Sequence, residues 1–536
     1  MKSLNKLFIA GLVFVMGGLA VSCTDLDITT DSEYTTDNFP KTSEDYEYIM
    51  GPVYSTIARS FSRDYWISQL LPTDQAILLS HATGWWDGGR YQQLHQHTWT
   101  PDHDFITGAF NALFAKISTC NSVKKVIEDS EDSTLKTQFL ADLRAMRAMY
   151  YFMLMDSYGD LPLVTEFGQP TGDRVSRTEI CKFIEKEFLE VMPNLKSEVS
   201  SSTYARPTQY VAHAMLAKLY LNWEVYTGQS IPTEKVIEHC NAIIASEQFN
   251  LSDSYKNVFN YNNGSQIKDI IYAFPYNRDY TNEEWYYCRY WHHKYHKETF
   301  GYTWGPSSGM RCLPSFYAKF NLKGDEREQI WLKGKQYKKD GSPYYIKLSK
   351  KAFDCIEFAN TPGDTLWWFE LTNELKFRKP EYESTFNMGN DERDLAMGYR
   401  ANKYCYDELS STREQDNDMC YLRFADVLLM KAEAIARGGV DPQQQSPVEL
   451  INMVRQRANA ELLTEETYNR NPLEEIYNER CRELVHELWC RNDMIRFGKF
   501  EGTWEFKTVS DINRRIFPIP RTVLQNNPTW KQNPGY

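Results

Sequence analysis

The stretch Asn471–Phe500, NPLEEIYNERCRELVHELWCRNDMIRFGKF, combines an apolar stripe with a dense charged face, and few folds accommodate both. Asn471 can cap a helix, Pro472 suits its first turn, and Glu474 stands where a capping box needs it. Ile476, Leu484 and Leu488, widened by Val485 and Trp489, make one helical stripe that must lie in a core, and Gly498 supplies the stop. The spacing predicts one helix through the stretch. Its flanking face carries Glu479, Arg480, Glu483, Glu487, Arg491, Asp493 and Arg496, with Glu487 and Arg491 as an i,i+4 pair. Three carboxylates on one ridge invite a glycosidase reading, but hydrolysis needs two that flank a bond from opposite sides, and residues four apart on a helix point the same way. The charges instead predict a lattice in which Arg480, Arg491 and Arg496 tie the helix to its neighbours through bidentate pairs.

The 536 residues hold ample apolar material for a large core, and a net charge of -12 without a strong basic run argues against a nucleic-acid partner. Aromatic content is the unusual quantity: 14%, with 35 Tyr and 14 Trp, more flat amphipathic surface than a helical core requires. Such side chains stack on sugars, bases or peptides at wet interfaces. The eleven cysteines include no CxxC and no grouping with histidine at zinc spacing, so neither metal nor cofactor is expected, while disulfides stay open. His292, His293 and His296, in a loop crowded with Tyr and Trp, read as polar surface rather than ligands.

Met1–Cys23 is a targeting segment: Lys2 and Lys6 lead an apolar run from Leu7 to Leu19, too short to span a membrane comfortably. It closes on Ala20-Val21-Ser22-Cys23, which resembles the lipobox of a bacterial lipoprotein, in which Cys23 becomes the lipidated N-terminus. The chain is then anchored to a membrane through its lipid alone, since no later stretch is apolar for long enough to span.

Helical periodicity begins after Thr42 or Ser43 and lapses from Asp64 to Thr100, where glycines break a loop tipped by Trp85 and Trp86. It returns in Asp104–Val123, Phe139–Tyr158, Thr178–Met192, Thr208–Tyr226 and Glu234–Glu247, and later in Tyr421–Arg437 and Pro447–Asn459. Three of these helices have alanine waists, end at glycine and precede a more polar helix. Pairs of that kind stack tetratricopeptide-fashion, here without a strict period. Between Asn250 and Asp418 the period weakens, and short runs such as Ile270–Phe274 and Tyr344–Leu348 read as strands. Trp367-Trp368-Phe369 reads as core, whereas Trp285–Trp304, interleaved with polar residues, reads as a wet surface.

The fold class is mainly α, a tetratricopeptide-like scaffold with a large irregular, loop-rich insertion. The chain divides into a leader (1–22), a lipidated tether (23–40), a helical scaffold (41–249) with its aromatic loop (64–100), an irregular aromatic-rich part (250–418), and a closing scaffold and tail (419–536). Ligand-binding candidates are Trp85, Trp86, Asp87 and Arg90 from the first loop, and Asn282, Trp285, Arg289, Trp291, Tyr302 and Trp304 from the insertion, aromatic faces beside polar groups.

Phe139-Leu-Ala-Asp-Leu-Arg-Ala-Met-Arg-Ala-Met-Tyr-Tyr-Phe152 with Tyr158-Gly-Asp-Leu-Pro-Leu163, the Tyr421–Ala434 helix, Asn478–Leu484 running on to Arg491–Arg496, and the ending Phe517-Pro-Ile-Pro520 to Gln532-Asn-Pro-Gly-Tyr536 together resemble the SusD/RagB family of surface lipoproteins. The match thins between Asn250 and Asp418. The resemblance implies no catalysis, and a lipid-anchored subunit exposed on the outer membrane. It implies oligosaccharide capture for a partner TonB-dependent transporter of SusC type. Peptide capture by the same fold, a transporter lid without a ligand site, and a surface glycoside hydrolase are the rival readings.

Overall fold

The computed structural model describes residues 39–55, 60–81, 84–278, 285, 287–348, 365–407 and 412–536. The leader, Cys23, most of the tether and Asn282 lie outside the described residues.

The protein is mainly α. Its principal helices are α1 (Ser43–Tyr54), α2 (Arg90–Gln96), α3 (Asp104–Glu128), α4 (Thr134–Tyr158), α5 (Arg177–Val191), α6 (Gln209–Leu221), α7 (Thr233–Ala245), α8 (Phe424–Ala436), α9 (Pro447–Arg457), α10 (Pro472–Glu483) and α11 (Cys490–Arg496). Local chemistry sets many of their ends. Thr42, Ser176 and Ser446 close capping boxes on α1, α5 and α9, and Gly159 ends α4 at φ 76°. Neighbours pack in sequence, α3 on α4 on α5, and α6 on α7 on α8 on α9. Of the alanines expected at the waists, Ala145 and Ala148 on α4, Ala212, Ala214 and Ala217 on α6, and Ala425, Ala432 and Ala434 on α8 are buried, while Ala436 at the end of α8 is half-buried.

The irregular part contributes short strands, β1 (Ile270–Phe274), β2 (Gly334–Lys335), β3 (Tyr345–Leu348), β4 (Thr365–Trp368) and β5 (Glu370–Leu371), with β6 (Met419–Arg423) leading into α8. β1 pairs antiparallel with β6. Tyr421–Arg423 therefore belongs to a strand, not to the start of the α8 helix as its periodicity predicts. Asp269 fixes the junction: one carboxylate oxygen accepts from Ala425 N at 3.1 Å and the other meets Arg423 Nη1 at 2.8 Å.

The 471–500 stretch is two helices, not one. Asn471 accepts from Glu474 N at 3.4 Å and Pro472 opens α10, but Glu474 turns to Lys499 at 2.6 Å instead of completing the box. After Glu483 the chain breaks, with His486 at φ 65° and Leu488 at φ 74°, a left-handed conformation that a helix cannot contain. The break turns Glu487 away from Arg491. Glu487 takes Arg423 at 2.6 and 2.8 Å, with Lys403 beside it, while Arg491 meets Asp156 at 3.4 Å.

The charge lattice itself is present. Arg480 grips Asp493 at 2.8 and 3.0 Å, and Arg496 grips Glu433 at 2.8 and 2.9 Å. Glu479 meets Arg327, Arg455 and Arg482, and Glu483 meets Arg423, Arg457 and Arg327, all with buried side chains. Burial alone would raise the Glu483 pKa, but its three arginines outweigh burial and bring it down to about 2. Glu479 and Glu483, held ionised by their arginines, tie these elements together.

Other expectations need correction. His292, His293 and His296 are fully buried, not surface. Trp367 and Trp368 are only half-buried, although Phe369 is core. The nine cysteines among the described residues are free thiols.

Candidate functional site

The first aromatic loop is held in an unusual backbone. His81 and Gly84 exchange backbone hydrogen bonds at 3.0 Å, and beyond them Trp85 (φ 67°), Asp87 (φ 43°), Gly88 (φ 70°) and Gly89 (φ 77°) all enter the left-handed region. A bulky residue such as Trp85 occupies that region only when its surroundings enforce it, and such strain concentrates at binding sites. The turn sends the two tryptophans different ways. Trp85 is half-buried between Tyr290 and Tyr91, with ring centroids 5.3 and 5.8 Å away, while Trp86 is 44% exposed. Gly89 lets the Trp86 ring fold close, since a Cβ there would lie 3.0 Å from it.

Arg90 opens α2 and is fixed on three sides: Asp104 at 2.6 Å, Asp87 at 3.0 Å and the Tyr91 hydroxyl at 3.2 Å. Burial opposes its charge, but Tyr91 and Asp104 more than offset that, so its pKa lies above the ordinary value. The guanidinium also lies 4.7 Å from the Phe105 ring centroid. From the insertion, Arg289 lies within 3.4 Å of Ser307 Oγ.

These groups meet around a depression of about 370 Å³ lined by Arg63, Trp85, Asp87, Arg90, Tyr91, Arg289, Tyr290 and Ser307. Residues more than 200 apart in sequence thus converge on one polar hollow with aromatic walls. Two hollows of about 400 and 570 Å³ lie on the helical scaffold, the first walled by Phe110, Phe114, Phe167 and Trp530, and neither contains a residue nominated from the sequence.

Trp85, Asp87, Arg90 and Arg289 line the depression, with Trp86 exposed beside them. The wet-surface expectation fails for three others. Trp285 is fully buried, stacked on Tyr276 at 5.5 Å and edge-on to Trp66 at 5.7 Å. Trp291 is also fully buried, 4.4 Å from the His486 ring. Tyr302 is 4% exposed, and its hydroxyl meets His292 Nδ1 at 2.9 Å. Trp304, half-buried, stacks on Tyr302 at 5.0 Å and does not line the depression.

Sequence reasoning missed Arg63, Tyr91, Tyr290 and Ser307. Arg63 lies in a π-helical segment, Ser60–Tyr65, a form that often marks functional positions, but no periodicity in the sequence announces it. Tyr290 was visible only as one aromatic among many.

A helical-pair scaffold that carries a loop-built polar and aromatic hollow defines a binding protein. Residues 220–514 match the model of the SusD family, and residues 26–221 match a second family model described as "Starch-binding associating with outer membrane". The chain belongs to the SusD family, whose members are carbohydrate-binding proteins and not enzymes. Starch-binding protein SusD of Bacteroides thetaiotaomicron is 23% identical to it, over 100% of this chain and 99% of that protein. Among solved structures, surface glycan-binding protein A from Bacteroides thetaiotaomicron superposes with TM-score 0.69 at 18% identity, covering 92% of this chain and 99% of that one. A laminarin-binding SusD-like protein gives TM-score 0.67 at 18% identity, covering 93% and 100%. At these identities the structural likeness shows the shared fold.

Proposed function

We propose that this protein is a surface lipoprotein, anchored through Cys23, that captures oligosaccharides at the Trp85–Arg289 depression and delivers them to a TonB-dependent outer-membrane transporter of SusC type. The convergence of Trp85, Asp87 and Arg90 with Arg289 carries the reading, and the starch- and laminarin-binding relatives supply the ligand class. The exposed Trp86 face removes sugar CH surface from water, while Asp87 accepts hydroxyl hydrogens and the arginines donate to ring and hydroxyl oxygens. No helix among the described residues is long and apolar enough to cross a membrane, in keeping with attachment through a lipid.

Calorimetry of the soluble form that starts at Thr24, without the lipidated Cys23, against glycan and peptide panels tests this. Trp86→Ala removes a stacking face of about 1–2 kcal/mol, so Kd rises about 5- to 30-fold on a glycan that binds the wild type. Silence across the glycans, with binding to peptides, refutes the saccharide reading. Pull-down of the co-expressed transporter tests the partner.

A further inference from the structure

Two arginines lie buried side by side with no acid between them. Arg311, on the Met310–Cys312 strand, and Arg400, on the Arg400–Ala401 strand, are at most 1% exposed. Both reach for the same turn. Arg311 Nε donates to Met397 O at 2.9 Å, Nη1 to Gly309 O at 2.8 Å and Nη2 to Leu395 O at 3.3 Å. Arg400 Nη1 donates to Met397 O at 3.0 Å and to Gly398 O, and Nη2 to Leu395 O at 2.8 Å. Arg327, Arg423, Arg480 and Arg491 are buried as deeply, and each meets a carboxylate. Among the described residues Arg311 and Arg400 meet none. Carbonyl dipoles satisfy N–H groups but carry no net charge, and a buried charge is costly unless paired. Burial pulls the Arg311 pKa down to about 9, and burial with the Arg311 charge beside it pulls Arg400 well below its ordinary value.

The short helix Tyr287–Trp291 packs against both strands, and the chain beyond it carries His292, His293 and His296 into the same interior. Backbone N–H groups, which can only donate, fix two of the tautomers. His293 Nδ1 accepts from Tyr295 N at 3.2 Å and His296 Nδ1 from His293 N at 3.1 Å, so each neutral ring carries its proton on Nε2. His296 has the Gln336 side chain beside it. His293 does not. Burial first, and Arg400 next, hold the His293 pKa well below its ordinary value, so the ring is neutral with a single N–H. His293 Nε2 and Arg400 Nε are both fully buried donors with no acceptor among the described residues.

We propose that this interior is an anion site, in which a chloride ion accepts from His293 Nε2 and Arg400 Nε with the Arg311 guanidinium behind them. A halide is a spherical acceptor with one negative charge, and hydrogen bonds to a charged partner are the strong ones. Its charge offsets one guanidinium outright, and the carbonyl ends of the turn temper the other. A buried water would satisfy the two donors but bring no charge. A metal cation is excluded, since two guanidiniums repel it and the imidazole nitrogen it needs already carries a proton. The ion would tie the Tyr287–Trp291 helix to both strands, and that helix supplies Arg289 and Tyr290 to the wall of the depression. The ion site is independent of what the depression binds.

The test is urea unfolding of the soluble form that starts at Thr24, in mixtures of sodium chloride and sodium gluconate held at about 200 mM in total so that screening is constant. Gluconate is too large for the interior. Because only the folded chain binds the ion, the folding constant is expected to rise about tenfold for each tenfold rise in chloride above its Kd, read as a climbing urea midpoint. Bromide is expected to substitute for chloride. His293→Phe removes the donor at similar volume and is expected to flatten the chloride dependence. Crystals grown in sodium bromide are expected to show an anomalous peak within hydrogen-bond reach of His293 Nε2 and Arg400 Nε, which keeps the site decidable if His293→Phe fails to fold. A midpoint that is the same in chloride and in gluconate overturns the inference and leaves a water on the two donors. So does a chloride dependence that His293→Phe keeps in full, or a bromide peak found only elsewhere.

Discussion

Replacing Glu483 with Gln tests whether the buried charge lattice, rather than helix propensity, holds the C-terminal scaffold to the rest of the chain. Glu483 Oε1 accepts from Arg457 Nη2 at 2.5 Å and Arg423 Nη2 at 2.9 Å, and Oε2 accepts from Arg327 Nη1 at 3.2 Å. The substitution conserves volume, so packing is preserved. It leaves one acceptor for three guanidiniums and points an amide donor at another donor. A charge-assisted hydrogen bond contributes about 1.5–3 kcal/mol, and breaking a buried ion pair costs about 3–5 kcal/mol, so a loss of about 3–5 kcal/mol is expected. Urea unfolding followed by tryptophan fluorescence reads this as a lower midpoint at unchanged slope. The pH dependence carries the same signature. With a folded pKa of about 2, below the unfolded carboxylate, Glu483 contributes stability above about pH 4.5 that fades as pH falls toward 2. The Gln variant lacks that component. Glu466→Gln is the control, since its pair with Arg470 is solvent-exposed and is expected to shift stability by less than about 1 kcal/mol. Equal effects of the two substitutions would refute the reasoning.

Two further outcomes follow from the interior. All ten histidines are held below their ordinary pKa, burial being the first cause, with His95 and His239 at about 4, His292 at about 3 and His97 at about 2. Because their folded pKa is lowered, they stay neutral while the unfolded chain takes up protons below about pH 6.5, and each of these four costs about 1.4 kcal/mol per pH unit below that point. Asp142 and Asp418, raised by burial to about 7, and Asp74, raised to about 6, act in the opposite sense but are outnumbered. Thermal unfolding at pH 5 is therefore expected at a lower Tm than at pH 7, and an equal or higher Tm contradicts it. Gly108→Ala would place a Cβ 2.3 Å from Asp64 Oδ2, so overpacking of about 1–3 kcal/mol is set against an alanine helix preference of about 1 kcal/mol. Net destabilisation, with weaker glycan binding through displaced Arg63, is the expected result of denaturation and calorimetry.

Much of the scaffold was legible in the sequence because its signals are local. Asn471 and Pro472 start α10, Gly159 stops α4, and the alanine waists read as close-packing helices whose packing needs no distant information. The charges of 471–500 were legible as a lattice, since that many ions beside a core stripe require partners. Their partners were not. Arg327, Arg423 and Arg457 come from segments whose spacing carries no hint of α10, and Arg423 with Lys403 holds Glu487 out of helical register. The candidate site divides the same way. Loop glycines and paired tryptophans marked residues 85–90, but whether an aromatic in the insertion meets water depends on what packs against it. Trp285 and Trp291 are covered by Trp66 and His486, more than 190 residues away, while Trp368, in a continuous apolar run, keeps part of its ring outside a sheet of only two strands. The sequence by itself marked most of the helices, the starts at Thr42 and Asn471, the stop at Gly159, and the family. Only the tertiary structure decided which rings are surface and which arginine holds which carboxylate, because both depend on contacts between segments far apart in the chain.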